Sequence, residues 1–267
     1  MCDYTFFYVV GGKDLYYEQL KLSLQSLKRL NKKYKVKILD IGRKMTSYEN
    51  IEVIYIDKHI TEAHVFWQHK YYLCQMLDTK YGIYLDCDTI ICYDKLEELF
   101  LQLNESIGVI PHFYIQNFND VLKYFNNNKV QEYYINNHHT PNDCFYTGGV
   151  FMFSNNKICK SFLKAVYDLH DNIYGKTGAY INGLTDETFI STLLRKYSHI
   201  KLNGSNNHCS ANMMPLTLYN DILIGKNPFD ETYEPIFVLH GSSERQKQGQ
   251  DYDGLLKEKI TEMWNIL

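Results

Sequence analysis

Lys80-Tyr81-Gly82-Ile83-Tyr84-Leu85-Asp86-Cys87-Asp88 is the stretch on which the fold turns. Gly82 to Leu85 reads as a strand, and it stops abruptly at two carboxylates. Side chains on a strand repeat every two residues, so Asp86 and Asp88 are expected to face the same way. Ligands of open α/β sheets bind at the carboxyl ends of strands. A solvated turn capping the strand is the plain alternative, and a bare Asp-x-Asp does not decide between the two.

The surrounding sequence supplies the sheet and its cover. Thr5 to Val10 is an apolar strand followed by the breaker Gly11-Gly12. Leu20, Leu24 and Leu27 recur at i, i+4 and i+7, which predicts an amphipathic helix over about 15–30. Val36 to Ile41 and Ile51 to Ile56 read as strands and His64 to Leu77 as a helix. Leu96, Leu99, Phe100 and Leu103 mark a helix after the Asp pair. Gly149 to Phe153 is a further strand, Asp186 to Lys196 a helix, and Pro235 to Leu239 a late strand ending at His240. This alternation predicts an α/β fold, a mostly parallel central sheet flanked by helices. Without an internal repeat or a low-complexity linker, residues 1–267 are expected to form a single domain. His112 to Pro141 is rich in Asn, Tyr and His with weak periodicity, and is expected to be an irregular excursion or a lid.

Composition narrows the partners. With 267 residues, 45% hydrophobic and 22% charged, the chain reads as a soluble globular protein. A formal net charge of −3 gives no broad basic field for a nucleic acid. No segment approaches the roughly 20 apolar residues of a membrane span. The seven cysteines are scattered and show no CxxC spacing, so a reducing, cytoplasmic location is expected.

Four groups of residues carry candidate chemistry. Asp86 and Asp88 offer hard oxygen donors for Mg²⁺ or Mn²⁺, which can bridge nucleotide phosphates. His240 also ends an apolar strand, and Gly241-Ser242-Ser243, Arg245 and Lys247 follow it. Asp, Asp and His together favour Mn²⁺ over Mg²⁺. Thr185-Asp186-Glu187 opens a helix: Thr185 is a good N-cap, and first-turn acids stabilise the dipole by about 0.3–1 kcal/mol. The alternative is a carboxylate aimed at a sugar's anomeric carbon. Gly148-Gly149 before a strand is either a plain turn or a point of close ligand approach. Lys70 is a surface lysine or a phosphate contact, and Tyr16 a core residue or a stacking surface for a base.

Taken together these residues resemble retaining glycosyltransferases of the GT-A fold. Lys70 to Leu99, with Asp14-Leu15-Tyr16 and Ser26-Leu27, is similar to the glycogenin-like branch. Tyr146-Thr147-Gly148-Gly149-Val150-Phe151 and Thr185-Asp186-Glu187-Thr188-Phe189 resemble the blood-group and α-1,3-galactosyl transferases. The resemblance implies a UDP-sugar donor and a hydroxyl acceptor, on a glycan, with retention at the anomeric carbon. It implies that Val9, Val10 and Tyr16 hold the base, that Lys70, Gly148, Gly149 and Lys247 contact the nucleotide-sugar, and that Asp86, Asp88 and His240 bind Mn²⁺ or Mg²⁺. Glu187 would be the nucleophile or oxocarbenium stabiliser, with Asp186 on the donor sugar. In such an enzyme the irregular segment 112–141 would be a lid or an acceptor-binding insertion. The rival interpretations are an inverting GT-A transferase, a phosphatase of the haloacid-dehalogenase type, a nucleotidyltransferase built on Val9-Val10-Gly11-Gly12-Lys13, and a non-catalytic sugar-binding module. For the phosphatase, Thr89 stands one place early.

Overall fold

The computed structural model describes residues 3–28, 30, 33–47, 50–56, 63–91, 100–101, 103, 106–112, 117–125, 127–175, 181, 183–202, 208–210 and 238–240. Strand β1 (Tyr4–Val10) lies at the middle of the fold. Phe6, Tyr8 and Val10 pack into one core and Phe7 into another, on the opposite face of the sheet. Covering both faces is what makes the strand read as an unbroken apolar run. Helix α1 (Asp14–Leu27) closes the first core with Leu20, Leu24 and Leu27, the residues its spacing singled out. Full burial of each contributes about 1.5–3 kcal/mol.

Beside β1 lie β2 (Tyr34–Asp40) and then β3 (Ile51–Ile54). On its other side come β4 (Tyr81–Leu85), β7 (Tyr146–Ser154), β6 (Ile107–Pro111) and β8 (His199–Lys201). The seven-stranded order is β3-β2-β1-β4-β7-β6-β8. Its pairings are parallel except the two made by β7. The order reverses between β1 and β4, and a crevice forms where the direction of winding changes. Because β7 runs backwards, its first residues lie beside the carboxyl end of β4, with Leu85 opposite Val150. A smaller sheet joins β5 (Thr89–Ile91), β10 (Val238–His240) and β9 (His208–Ser210).

The second core is covered by α2 (Ala63–Cys74), α5 (Lys157–His170) and α6 (Asp186–Leu194), with a π-helical turn at Asp171–Gly175 after α5. No helix among the described residues is long and apolar enough to cross a membrane. The middle of the chain differs from its expected irregularity. Residues 113–116 and 126 lie outside the described residues, but α3 (Phe118–Tyr124) and α4 (Asn128–Asn136) are regular helices. They bury Phe118, Val121, Val130 and Tyr134 in the second core. Two of the asparagines that suggested a loop are N-caps: Asn117 accepts from the Asp120 amide and Asn127 from the Lys129 amide. Helices of 7 and 9 residues are too short to show a clear period. Of the helix expected around Leu96 and Leu99, only Phe100, Leu101 and Leu103 are described, and Phe100 and Leu103 are buried. Pro235 to Phe237 also lie outside the described residues.

Candidate active site

Strand β4 ends at Leu85, so Asp86 to Asp88 form a turn rather than a continuation of the strand. The Thr89 amide donates to the Asp86 carbonyl at 3.2 Å and closes it. Alternation nevertheless persists through the turn: Asp86 and Asp88 are half-buried and Cys87 between them is buried. The Cys87 thiol donates to the Val9 carbonyl at 3.2 Å, which ties the turn to the end of β1. The Asp86 amide donates to the Gly149 carbonyl at 2.8 Å, which ties it to β7. The Asp86 carboxylate accepts from the Tyr84 hydroxyl at 2.7 Å.

Behind this turn lies a buried ion pair. Lys70 of α2 meets Asp186 at the start of α6, and both side chains are more than 90% buried. The Lys70 ammonium also donates to the Gly148 carbonyl at 2.9 Å and stands 3.8 Å from the Asp86 carboxylate. It lies over the ring of Tyr84, 4.9 Å from the centroid. The Tyr71 hydroxyl donates to Asp186 at 3.2 Å. Burial alone would push the lysine down, but Asp186, Asp86 and Glu187 together hold it above its ordinary value, so it stays charged. Burial, reinforced by the nearby aspartates, pushes the phenols of Tyr71 and Tyr84 well up, which keeps them as neutral donors.

Gly148 explains why the pair can form. It lies inside β7, which starts earlier than the sequence suggests, so the glycine pair is not a turn before the strand. A methyl group on Gly148 would overlap the Asp186 carboxylate, with the Lys70 ammonium 3.3 Å away. The glycine therefore makes room for a protein carboxylate.

Glu187 is next to Asp186 but differently placed, with its side chain 25% exposed. Its carboxylate lies at the outer limit of a hydrogen bond, 3.5 Å, from both the Thr147 hydroxyl and the Gly148 amide. His112, at the end of β6, approaches it to 3.9 Å. Thr185 takes the N-cap position of α6, but its side chain makes no capping bond. Tyr16 is 41% exposed on the first turn of α1, beside Gly12, and is not a core residue. Its neighbour Tyr17 turns inward and donates to the Asp40 carboxylate at 2.6 Å. Val9 is half-buried and Val10 buried at the end of β1. The backbone register of β10 sets His240 opposite Thr89, next in the chain to Asp88. Among the described residues no three His, Cys, Asp or Glu side chains stand together as a ready metal cluster. Gly241, Ser242, Ser243, Arg245 and Lys247 lie outside the described residues.

One edge of the sheet thus brings together Lys70, Asp86, Gly148, Gly149, Asp186 and Glu187. Sequence reasoning missed Tyr71, Tyr84 and His112. Tyr84 was discoverable, since it stands two residues before Asp86 on one strand face. His112 gave no local signal.

No protein-family model and no curated protein matches the chain. Solved structures do. The galactosyltransferase LgtC, in complex with donor and acceptor sugar analogues, matches with a TM-score of 0.56 at 14% identity, over 97% of this chain and 95% of that one. An active-site mutant of LgtC gives 0.53 at 12% identity. The glycosyltransferase GlyE of Streptococcus pneumoniae TIGR4 gives 0.57 at 15% identity, over 97% of this chain and 60% of its own length. At such identities the likeness is one of fold: the chain has the GT-A fold of these glycosyltransferases.

Proposed function

We propose that the chain is a metal-dependent, retaining glycosyltransferase that moves a sugar from a UDP-sugar to an acceptor hydroxyl, on a glycan. The observation that carries this reading is the Lys70–Asp186 pair buried behind Gly148, with Asp86 and Glu187 at its mouth. A buried charged pair is weak evidence for stability, because desolvation offsets much of the attraction. Its value lies in fixing carboxylates where a polar ligand enters. In this reading Asp186 takes hydroxyls of the donor sugar. Lys70 and Tyr71 hold its carboxylate in place. Glu187, partly open to the crevice, faces the anomeric carbon and stabilises positive charge that develops as the leaving group departs. The acceptor then enters on the face that the leaving group vacates, opposite Glu187, which gives retention.

A divalent cation fits the residues present. Asp86 and Asp88 are half-buried oxygen donors at the sheet edge, and the β10 register brings the backbone of His240 beside them. When bound, Mn²⁺ or Mg²⁺ would neutralise diphosphate charge. Tyr16, exposed beside Gly12 at the end of β1, offers a ring face to uracil.

Calorimetry with UDP, with and without Mn²⁺, tests this reading. Mn²⁺ is expected to tighten UDP binding in the parent, and Asp86→Ala, Asp88→Ala and His240→Ala are each expected to abolish that response. Unchanged UDP affinity in all three variants sinks the metal assignment. A panel of nucleotide-sugars, scored by slow nucleotide release without acceptor, names the donor.

A further inference from the structure

The turn that carries Asp86 and Asp88 is held from behind by a chain of buried hydroxyls. Tyr8 of β1, Ser23 of α1 and Thr89 at the start of β5 are all fully buried. The Tyr8 hydroxyl lies 2.9 Å from the Ser23 hydroxyl, which lies 3.3 Å from that of Thr89. Thr89 donates in turn to the Asp86 carbonyl at 2.7 Å. A hydroxyl has one proton to give, so this last bond sets the direction of the whole series. Thr89 has spent its proton on Asp86, so Ser23 donates to Thr89 and Tyr8 donates to Ser23. A second serine of α1 supports the next residues, since the Ser26 hydroxyl accepts from the Ile91 amide at 2.9 Å. The helix that carries Tyr16 near its start is therefore linked by hydrogen bonds to the Asp-Cys-Asp turn.

Thr89 occupies a junction. Its amide and its hydroxyl both reach the Asp86 carbonyl. Its backbone pairs with His240 across the small sheet. We propose that Thr89 is a positioning residue for the cation site, acting with Ser23 and Tyr8 to fix the turn that presents Asp86 and Asp88 and the strand that brings up His240. The inference rests on the metal reading above. Valine matches threonine in shape but can neither accept from Ser23 nor donate to Asp86. In Thr89→Val the Asp86 carbonyl keeps the bond from the residue 89 amide but loses the one from the hydroxyl, and a buried serine proton loses its acceptor.

The test is a Mn²⁺ titration of UDP binding, followed by calorimetry and by the electron paramagnetic resonance of bound Mn²⁺, with melting temperature recorded in parallel. Thr89→Val is expected to weaken Mn²⁺ binding by about 10-fold or more, the size usual for groups that orient metal ligands without touching the metal. Metal-free UDP affinity should stay at the parental value. Thr89→Ser, which keeps the hydroxyl, should return Mn²⁺ binding to the parental value. Ser23→Ala should move it in the same direction as Thr89→Val, which covers the case of a poorly folding valine variant. Parental Mn²⁺ affinity in Thr89→Val and Ser23→Ala overturns this inference alone. A parent whose UDP binding ignores Mn²⁺ overturns the metal reading and the inference together.

Discussion

The two sides of Gly148 are built on opposite terms. On one side Asp186 is buried and committed, held by Lys70 and the Tyr71 hydroxyl and crowding the space where a side chain would begin. On the other, Glu187 is partly exposed, 3.5 Å from the Thr147 hydroxyl and the Gly148 amide and 3.9 Å from His112. Two acids adjacent in sequence and both in the first turn of α6 are therefore held in different surroundings. A buried carboxylate must keep its partners, since losing one strands a charge in a poor solvent. A half-open carboxylate retains capacity to meet a ligand.

That contrast predicts effects of decreasing size. Lys70→Met should be the most damaging to the fold. It leaves Asp186 buried without its cation, a change that costs about 3–5 kcal/mol in comparable sites. Urea unfolding measures it, and adding Asp186→Leu should recover part of the loss. A cost near zero would mean that the pair is not buried as described.

Glu187→Gln should invert that pattern. Stability should change by no more than about 1 kcal/mol, the most expected of a first-turn acid at a helix terminus. Turnover should fall about 10²–10³-fold, as when one contact to developing charge is removed. Near-parental turnover, or a product with inverted anomeric configuration by proton NMR, would return Glu187 to a helix-capping role.

Tyr16→Ala reaches the open rim farther out. Stacking on a base is worth about 1–3 kcal/mol, so UDP binding should weaken about 5- to 150-fold. Tighter binding of GDP than of UDP by the parent would count against a uracil platform here. The smallest effect belongs to a pair away from the crevice. Lys164 and Asp168 are 2.5 Å apart on the surface of α5. Lys164→Ala should cost only about 0.3–0.5 kcal/mol and leave UDP affinity unchanged, because exposed i,i+4 pairs are weak.

The ordered elements were legible because their signals are local. The leucine spacing of α1, the apolar runs of β1 and β4 and the carboxylates ending β4 each need only a few neighbouring residues to be recognised. The helices of the middle region were not, since short helices carry little period and asparagine serves loops and caps alike. Candidate site residues were found as isolated types at strand and helix ends. Their distances were not available from any window of sequence.

By itself, then, the sequence determined an α/β sheet with carboxylates at one edge, through periodicity and the abrupt end of apolar runs. Tertiary structure alone decided that Tyr71 and Asp186, 115 positions apart, would share a hydrogen bond, and that Lys70 would reach across to both Asp186 and Gly148. It decided that Gly148 would be needed for a protein carboxylate, and that His112 would come up to Glu187. The physical reason is the reversed strand β7, which carries Gly148 to the carboxyl end of β4 and beneath the start of α6. Strand direction is set by packing across the whole sheet, and no local pattern of residues encodes it.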